Sequence, residues 1–278
     1  MALIKADGKP LSTFQIARVL SGERVIAVPS LWTNLHLDLL QCSFGKTTYV
    51  QPAQEDEGSA ALHMIFESLA QVNNWRQSNS IAKLICRDKE IFMDNKICLY
   101  FDGEVAEMLR CATTFHAQPV AKNWRSPPFA AYVDLERLTR ARQCYHEPSI
   151  RYAKTGEIAQ SISRIKLRKA TPPNPMYDPY IAAILIAMAQ EQQASAFDLM
   201  PGPDVMQMTF RPKLVVSKPE SAFVYLYETK INSTFLCKFS DPDVQPPRAT
   251  SMDIQIKAMP TKPLYTLSQR LQDFVLPG

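Results

Sequence analysis

Asp204, Glu228 and Lys230 are the side chains whose types and spacing point most directly to chemistry. Asp204 follows Pro203, and Glu228-Thr229-Lys230 closes the run VYLYETKI, Val224 to Ile231. Two carboxylates that converge hold a divalent cation, and a lysine two positions beyond one of them on a strand projects from the same face. There it would orient or activate an attacking water. Asp204, Glu228 and Lys230 would then be catalytic residues around a divalent cation such as Mg2+; no other reading of the chain calls for a cofactor. An ordinary explanation competes. Acid-x-Lys recurs at Asp7-Gly8-Lys9 and Asp94-Asn95-Lys96, and Pro-Asp recurs at Pro242-Asp243. Asp204 also follows Pro201-Gly202-Pro203, and aspartate serves turns by bonding to nearby backbone.

A second constellation is electrostatic. Between Arg137 and Lys169 stand nine Lys or Arg and two Glu, a net +7, which leaves −3 for the rest of a chain whose total is +4. The densest part, SRIKLRK, alternates Arg164, Lys166 and Arg168 with Ile165 and Leu167, and Lys169 follows. As a strand, this run projects three cations onto one face, able to meet phosphates or an acidic protein surface. The plainer role for such a strand is a solvated basic edge that guards a sheet against aggregation. Nucleic-acid binding would also want aromatic residues to stack bases, and Tyr152 alone does not supply them. Arg164, Lys166, Arg168 and Lys169 are therefore the anion-binding candidates, with an anionic protein or nucleic acid as the partner and no membrane.

Other motifs are excluded by geometry. Gly45-Lys46-Thr47 ends like a phosphate-binding loop, but such a lysine must open a helix, and Thr47-Thr48-Tyr49-Val50 reads as strand. No two of the eight glycines lie within five residues of each other, which rules out a glycine-rich phosphate cradle. Cys144-x-His146, and Cys111 with His116, lack a second pair at zinc spacing. His63 and Glu67 make a solvated pair on a helix face. Asp241-Pro242-Asp243, beside Pro246-Pro247, reads as a turn.

The elements that must position these residues follow from pattern. With 46% apolar and 21% charged residues the chain is that of a globular α/β or α+β protein. Ser12 caps a short helix in STFQIARVL, and a strand at RVIAVP comes next. Leu62, Ile65, Phe66, Leu69 and Val72 repeat at helical spacing. SIAKLICRDKEIFMDNKICLYFDG suits a small antiparallel meander, and EVAEMLRCATTF resumes helix. Asp178 caps an apolar helix from Pro179 to about Met200. Strands at VMQMTF and KLVVS and at AFVYLYETKI come next, then a helix at STFLCKF, a strand at DIQIKA and a helix at LSQRLQDFV. Both faces of Ala222–Ile231 begin apolar, which favours a central strand covered on both sides. Prolines in QPVAKNWRSPPF place a joint near residue 120, between a 1–120 α+β lobe and a 121–278 helix-backed mixed sheet. Unpaired cysteines and an N-terminus without a signal-like apolar segment suit an intracellular chain.

Two resemblances accompany these readings. Pro203-Asp204 with Glu228-Thr229-Lys230, set among helix, strands, helix and strand, resembles nucleases of the PD-(D/E)XK class, which implies a metal-dependent phosphodiesterase or a degenerate descendant. DPYIAAILIAMAQ, with VYLY and INSTFLCKFSDPDVQPP, resembles a group of uncharacterised proteins of filamentous fungi, which implies shared packing and no activity. The expectation is a binding protein that engages an anionic partner through the basic region, with the nuclease as its rival.

Overall fold

The structure, a computed structural model, describes residues 10–51, 81–87, 90–117, 126–146, 157–200, 202, 205, 207–247 and 249–276. Its strands in chain order are β1 (Cys42–Tyr49), β2 (Ile91–Asp94), β3 (Cys98–Phe101), β4 (Glu104–Met108), β5 (Ala112–Ala117), β6 (Pro128–Asp134), β7 (Thr209–Phe210), β8 (Lys213–Ser217), β9 (Phe223–Glu228), β10 (Ile231–Asn232) and β11 (Met252–Pro260). The helices are α1 (Thr13–Val19), α2 (Asn34–Leu40), α3 (81–86), α4 (Leu135–His146), α5 (Glu157–Ala170), α6 (Pro179–Leu199), α7 (Ser233–Ser240) and α8 (Leu264–Val275).

Seven strands form one sheet in the order β1-β11-β9-β8-β6-β5-β2. β1 with β11 and β6 with β8 are parallel, and the other neighbours are antiparallel. Helices cover both faces, so this is a mixed-sheet α/β fold. α6 lies on one face, its residues Pro179 to Ala189 all buried against Val133, Leu214, Val216, Tyr227, Ile254 and Ile256. α8 and α3 cover the other, with Leu267, Leu271, Val275, Ala82 and Ile85 against Tyr132, Val215, Val224 and Leu226. Leu214 and Val216 point one way and Val215 the other, as the pleat dictates. β9 is thus an interior strand covered on both sides, as its sequence implied. Each buried Ile or Leu contributes about 1.5–3 kcal/mol.

Local signals set the helix ends. Ser12 and Gln15 form a capping box on α1, and Asp178 Oδ1 accepts from Tyr180 N at 2.8 Å ahead of Pro179. Lys213 Nζ donates to Phe274 O and Leu276 O at the C-terminal end of α8, where a cation complements the helix dipole. Ser268 Oγ and Gln272 Nε2 donate to Leu84 O and Ile85 O, which ties α3 to α8.

The structure departs from the sequence reading in several places. Residues 24–28 are not a strand, because side chains take their carbonyls: Trp32 Nε1 donates to Ala27 O at 2.9 Å and His36 Nε2 meets Arg24 O at 3.0 Å. IAKLIC is helical and buries Ala82 and Ile85 under α8. EVAEMLRCATTF is two strands, β4 and β5. Asp102 and Gly103, with φ of 54° and 76°, make the hairpin turn that folds β4 back on β3. The joint expected near residue 120 falls between β5 and β6, which are paired neighbours, so one sheet draws strands from both sides of it. Residues 62–72 lie outside the described residues. No helix among those described is long and apolar enough to cross a membrane.

Candidate functional site

The basic segment is a helix, not the strand its alternation suggested. α5 packs beside α4, turning Ser163, Leu167 and Ala170 inward. These residues, together with Ile158, Ile162 and Ile165, repeat at helical spacing over three turns, and that longer pattern outweighs the five-residue alternation of Arg164 to Arg168. The correction redistributes the charge. Arg164 and Arg168, four apart, share one flank; Lys166 lies on the other, and Lys169, four beyond Ile165, stands at the C-terminal end of the face between them. Between them runs a stripe of Ile158, Ile162 and Ile165, exposed by 78%, 47% and 49%. All four cations are exposed, and none makes an ion pair among the described residues. Arg168 and Lys169 occupy the last turn, where positive charge is favoured.

The cations of α4 are mostly engaged. Arg142 is buried and grips Asp178 with both terminal nitrogens, Nη2 to Oδ1 at 2.5 Å and Nη1 to Oδ2. Arg140 pairs with Glu136 one turn away, and Arg137 Nη2 donates to Arg110 O at 2.9 Å. Asp134 Oδ1 accepts from Glu136 N and Arg137 N at 2.8 and 3.0 Å, capping α4, while Oδ2 accepts from Ser217 Oγ. The Ser217 hydroxyl is also bonded to Tyr132 Oη at 2.7 Å. Desolvation raises the Tyr132 phenol well above its ordinary range.

Of the three residues first singled out, Asp204 lies outside the described residues. Glu228 is the last residue of β9, half-exposed, and its Oε1 accepts from Lys257 Nζ at 2.6 Å. Lys213 is its cross-strand partner on the other side. Lys230 is exposed and lies beyond the strand end, so the acid-x-Lys spacing is not carried by one continuous strand. β9 stops there because the Thr229 hydroxyl turns to Asp253 O at 2.9 Å, and Ile231–Asn232 pairs with β7 in a separate ladder. Thr47, Thr48 and Tyr49 are strand, and a turn bond joins Val244 N to Asp241 O at 2.9 Å.

Among the described residues no group of three or more His, Cys, Asp or Glu is placed to hold a metal. His116 is buried and bonded to Thr114 and the Ser126 carbonyl. All six cysteines are free thiols. Burial pushes Cys42 up to about 12 and Cys86 up to about 11, which marks both as inert.

Arg142 was missed as a buried partner of Asp178. Its signal was positional: it continues the Leu135, Leu138 face of a helix, where a cation must find a counter-charge. Comparison with protein-family models returns no match, and comparison with curated proteins returns none.

Proposed function

We propose that this chain is an interaction protein, acting in a reducing compartment of the cell, that engages an acidic partner through α5. One observation carries the reading: four exposed cations, without ion pairs among the described residues, surround an exposed isoleucine stripe on a helix anchored by its opposite side. Charge without a local counter-ion supports attraction of an anionic surface. The stripe supports a protein partner over nucleic acid, because isoleucines meet an apolar helix face and do not stack bases. The free thiols suit a reducing compartment.

The test is fluorescence anisotropy with a labelled peptide carrying glutamate and leucine at helical spacing, set against a labelled DNA duplex. The reading expects tighter binding of the peptide, and weakening as salt rises. It also expects about tenfold loss in an Arg164→Ala, Lys166→Ala, Arg168→Ala variant, from about 0.5 kcal/mol per exposed contact. Unchanged affinity in that variant overturns the reading. Preference for the duplex would move the partner to nucleic acid.

A further inference from the structure

α1, residues 24–28, α2, α7 and the β3–β4 hairpin line a partly open cavity of about 330 Å³, at the small end of the ~300–1,000 Å³ usual for small-molecule sites. Its walls are mainly apolar, with Ile16, Val28, Trp32, Leu99, Phe101 and Phe239 among them. Polar side chains interrupt that surface, and Lys238 is the one that carries charge inside it. Lys238 donates from Nζ to Leu40 O and Thr250 O, both at 2.8 Å, and lies 4.5 Å from the centre of the Phe235 ring. An ammonium has three donors, so one is left over. No carboxylate pairs with it among the described residues, and a desolvated cation without a counter-charge is unfavourable.

Thr250 lines the same cavity with its other atoms: its hydroxyl oxygen is closed off from solvent and cavity alike and has no hydrogen-bond partner among the described residues. His36 does not add a second positive charge: Nδ1 accepts from Thr33 N at 3.0 Å, Nε2 donates to Arg24 O, and burial lowers its pKa. Arg24 and Glu104 also border the cavity, both exposed and of opposite sign, so neither sets its charge.

We infer that this cavity binds a small amphipathic carboxylate, its hydrocarbon body in the apolar chamber and its carboxylate accepting from Lys238 Nζ. The ligand supplies the missing counter-charge and takes the spare donor of the amine. This site is independent of the basic face of α5. Charge-assisted bonds are about twice as strong as neutral ones, so the head group governs affinity while the chamber selects for size.

Isothermal titration calorimetry with decanoate and with decanol tests this. Decanoate is expected to bind about tenfold or more tightly than decanol, and Lys238→Met to erase that preference. Ala106→Phe, which adds a ring to the chamber from β4, is expected to abolish binding of both. Equal affinities in the wild type, a preference that survives Lys238→Met, or undiminished binding in Ala106→Phe each overturns the assignment. The Lys238 amine also ties down two carbonyls, so its loss can unfold the chain. Lys238→Arg keeps a cation with spare donors and gives a separate reading: a surviving preference for decanoate upholds the site, and equal affinities for decanoate and decanol in that variant overturn it.

Discussion

Replacing Arg142 by Leu removes one half of a buried ion pair, and the structure sets the size of the effect. Arg142 and Asp178 side chains are each 4% exposed, so neither charge is shielded by water. Leucine keeps most of the apolar bulk of the side chain, which limits the cavity cost. What remains is the Asp178 carboxylate, buried with Tyr180 N at 2.8 Å as its cap contact and no cation. Breaking one side of such a pair costs about 3–5 kcal/mol. The loss is concentrated at the start of α6, the helix on which one face of the sheet packs. Asp178→Asn in the Arg142→Leu background should recover most of it. The amide oxygen still caps Tyr180 N, and no charge is left inside. The double variant is expected within about 1–2 kcal/mol of wild type. Urea unfolding with matched m-values measures each step. A single Arg142→Leu variant within about 1 kcal/mol of wild type, or a double variant less stable than the single one, refutes the reasoning.

Three other perturbations follow from the same geometry. Burial lowers the Lys238 amine from 10.5 to about 8, so the penalty for holding it charged, about 3 kcal/mol, is fully present below pH 8. The unfolded chain then binds more protons than the folded one between pH 8 and 10.5, and stability rises with pH in that window. The difference in urea stability between Cys42→Ser and Cys42→Ser with Lys238→Met isolates this, since Tyr132, Tyr180 and Tyr227, all raised by burial, are common to both and the thiol whose titration Lys238 lowers is gone; a flat difference contradicts it. Asp134→Ala removes the α4 cap and orphans the Ser217 donor, and should cost about 1–2 kcal/mol or more in thermal unfolding, whereas Asp134→Asn keeps an acceptor and loses less. Glu228→Ala breaks a half-exposed pair with Lys257 and should change stability by under about 1 kcal/mol in the same assay.

The C-terminal half was the most legible, because its signals are local and strong. Asp178-Pro179 starts α6 where the cap chemistry requires, and the Tyr180–Ala189 run can only be core. The alternation along Val224–Tyr227 correctly gave a strand with two covered faces. Where the reading failed, long-range or competing patterns decided. Five residues of alternating charge in α5 mimic a strand, and only the wider isoleucine spacing shows the helix. β4 has the composition of a helix, and the Asp102-Gly103 turn overrides it. RVIAVP has strand-forming residues but meets His36 and Trp32, whose side chains take the carbonyls a ladder would need. At the candidate site, residue identity was legible while orientation was not. Arg164, Lys166 and Arg168 were picked out, but the helix divides them between two flanks. Lys238 and Thr250 approach each other only when α7 meets the loop before β11, a contact that neither local sequence announces.

Hydrogen exchange along the wild-type chain, with and without the glutamate–leucine peptide, tests the central claim most directly. The account predicts slowed exchange in Glu157–Ala170 on peptide addition, reversed by salt. Saturating peptide that leaves those amides unchanged while protecting another surface would contradict it.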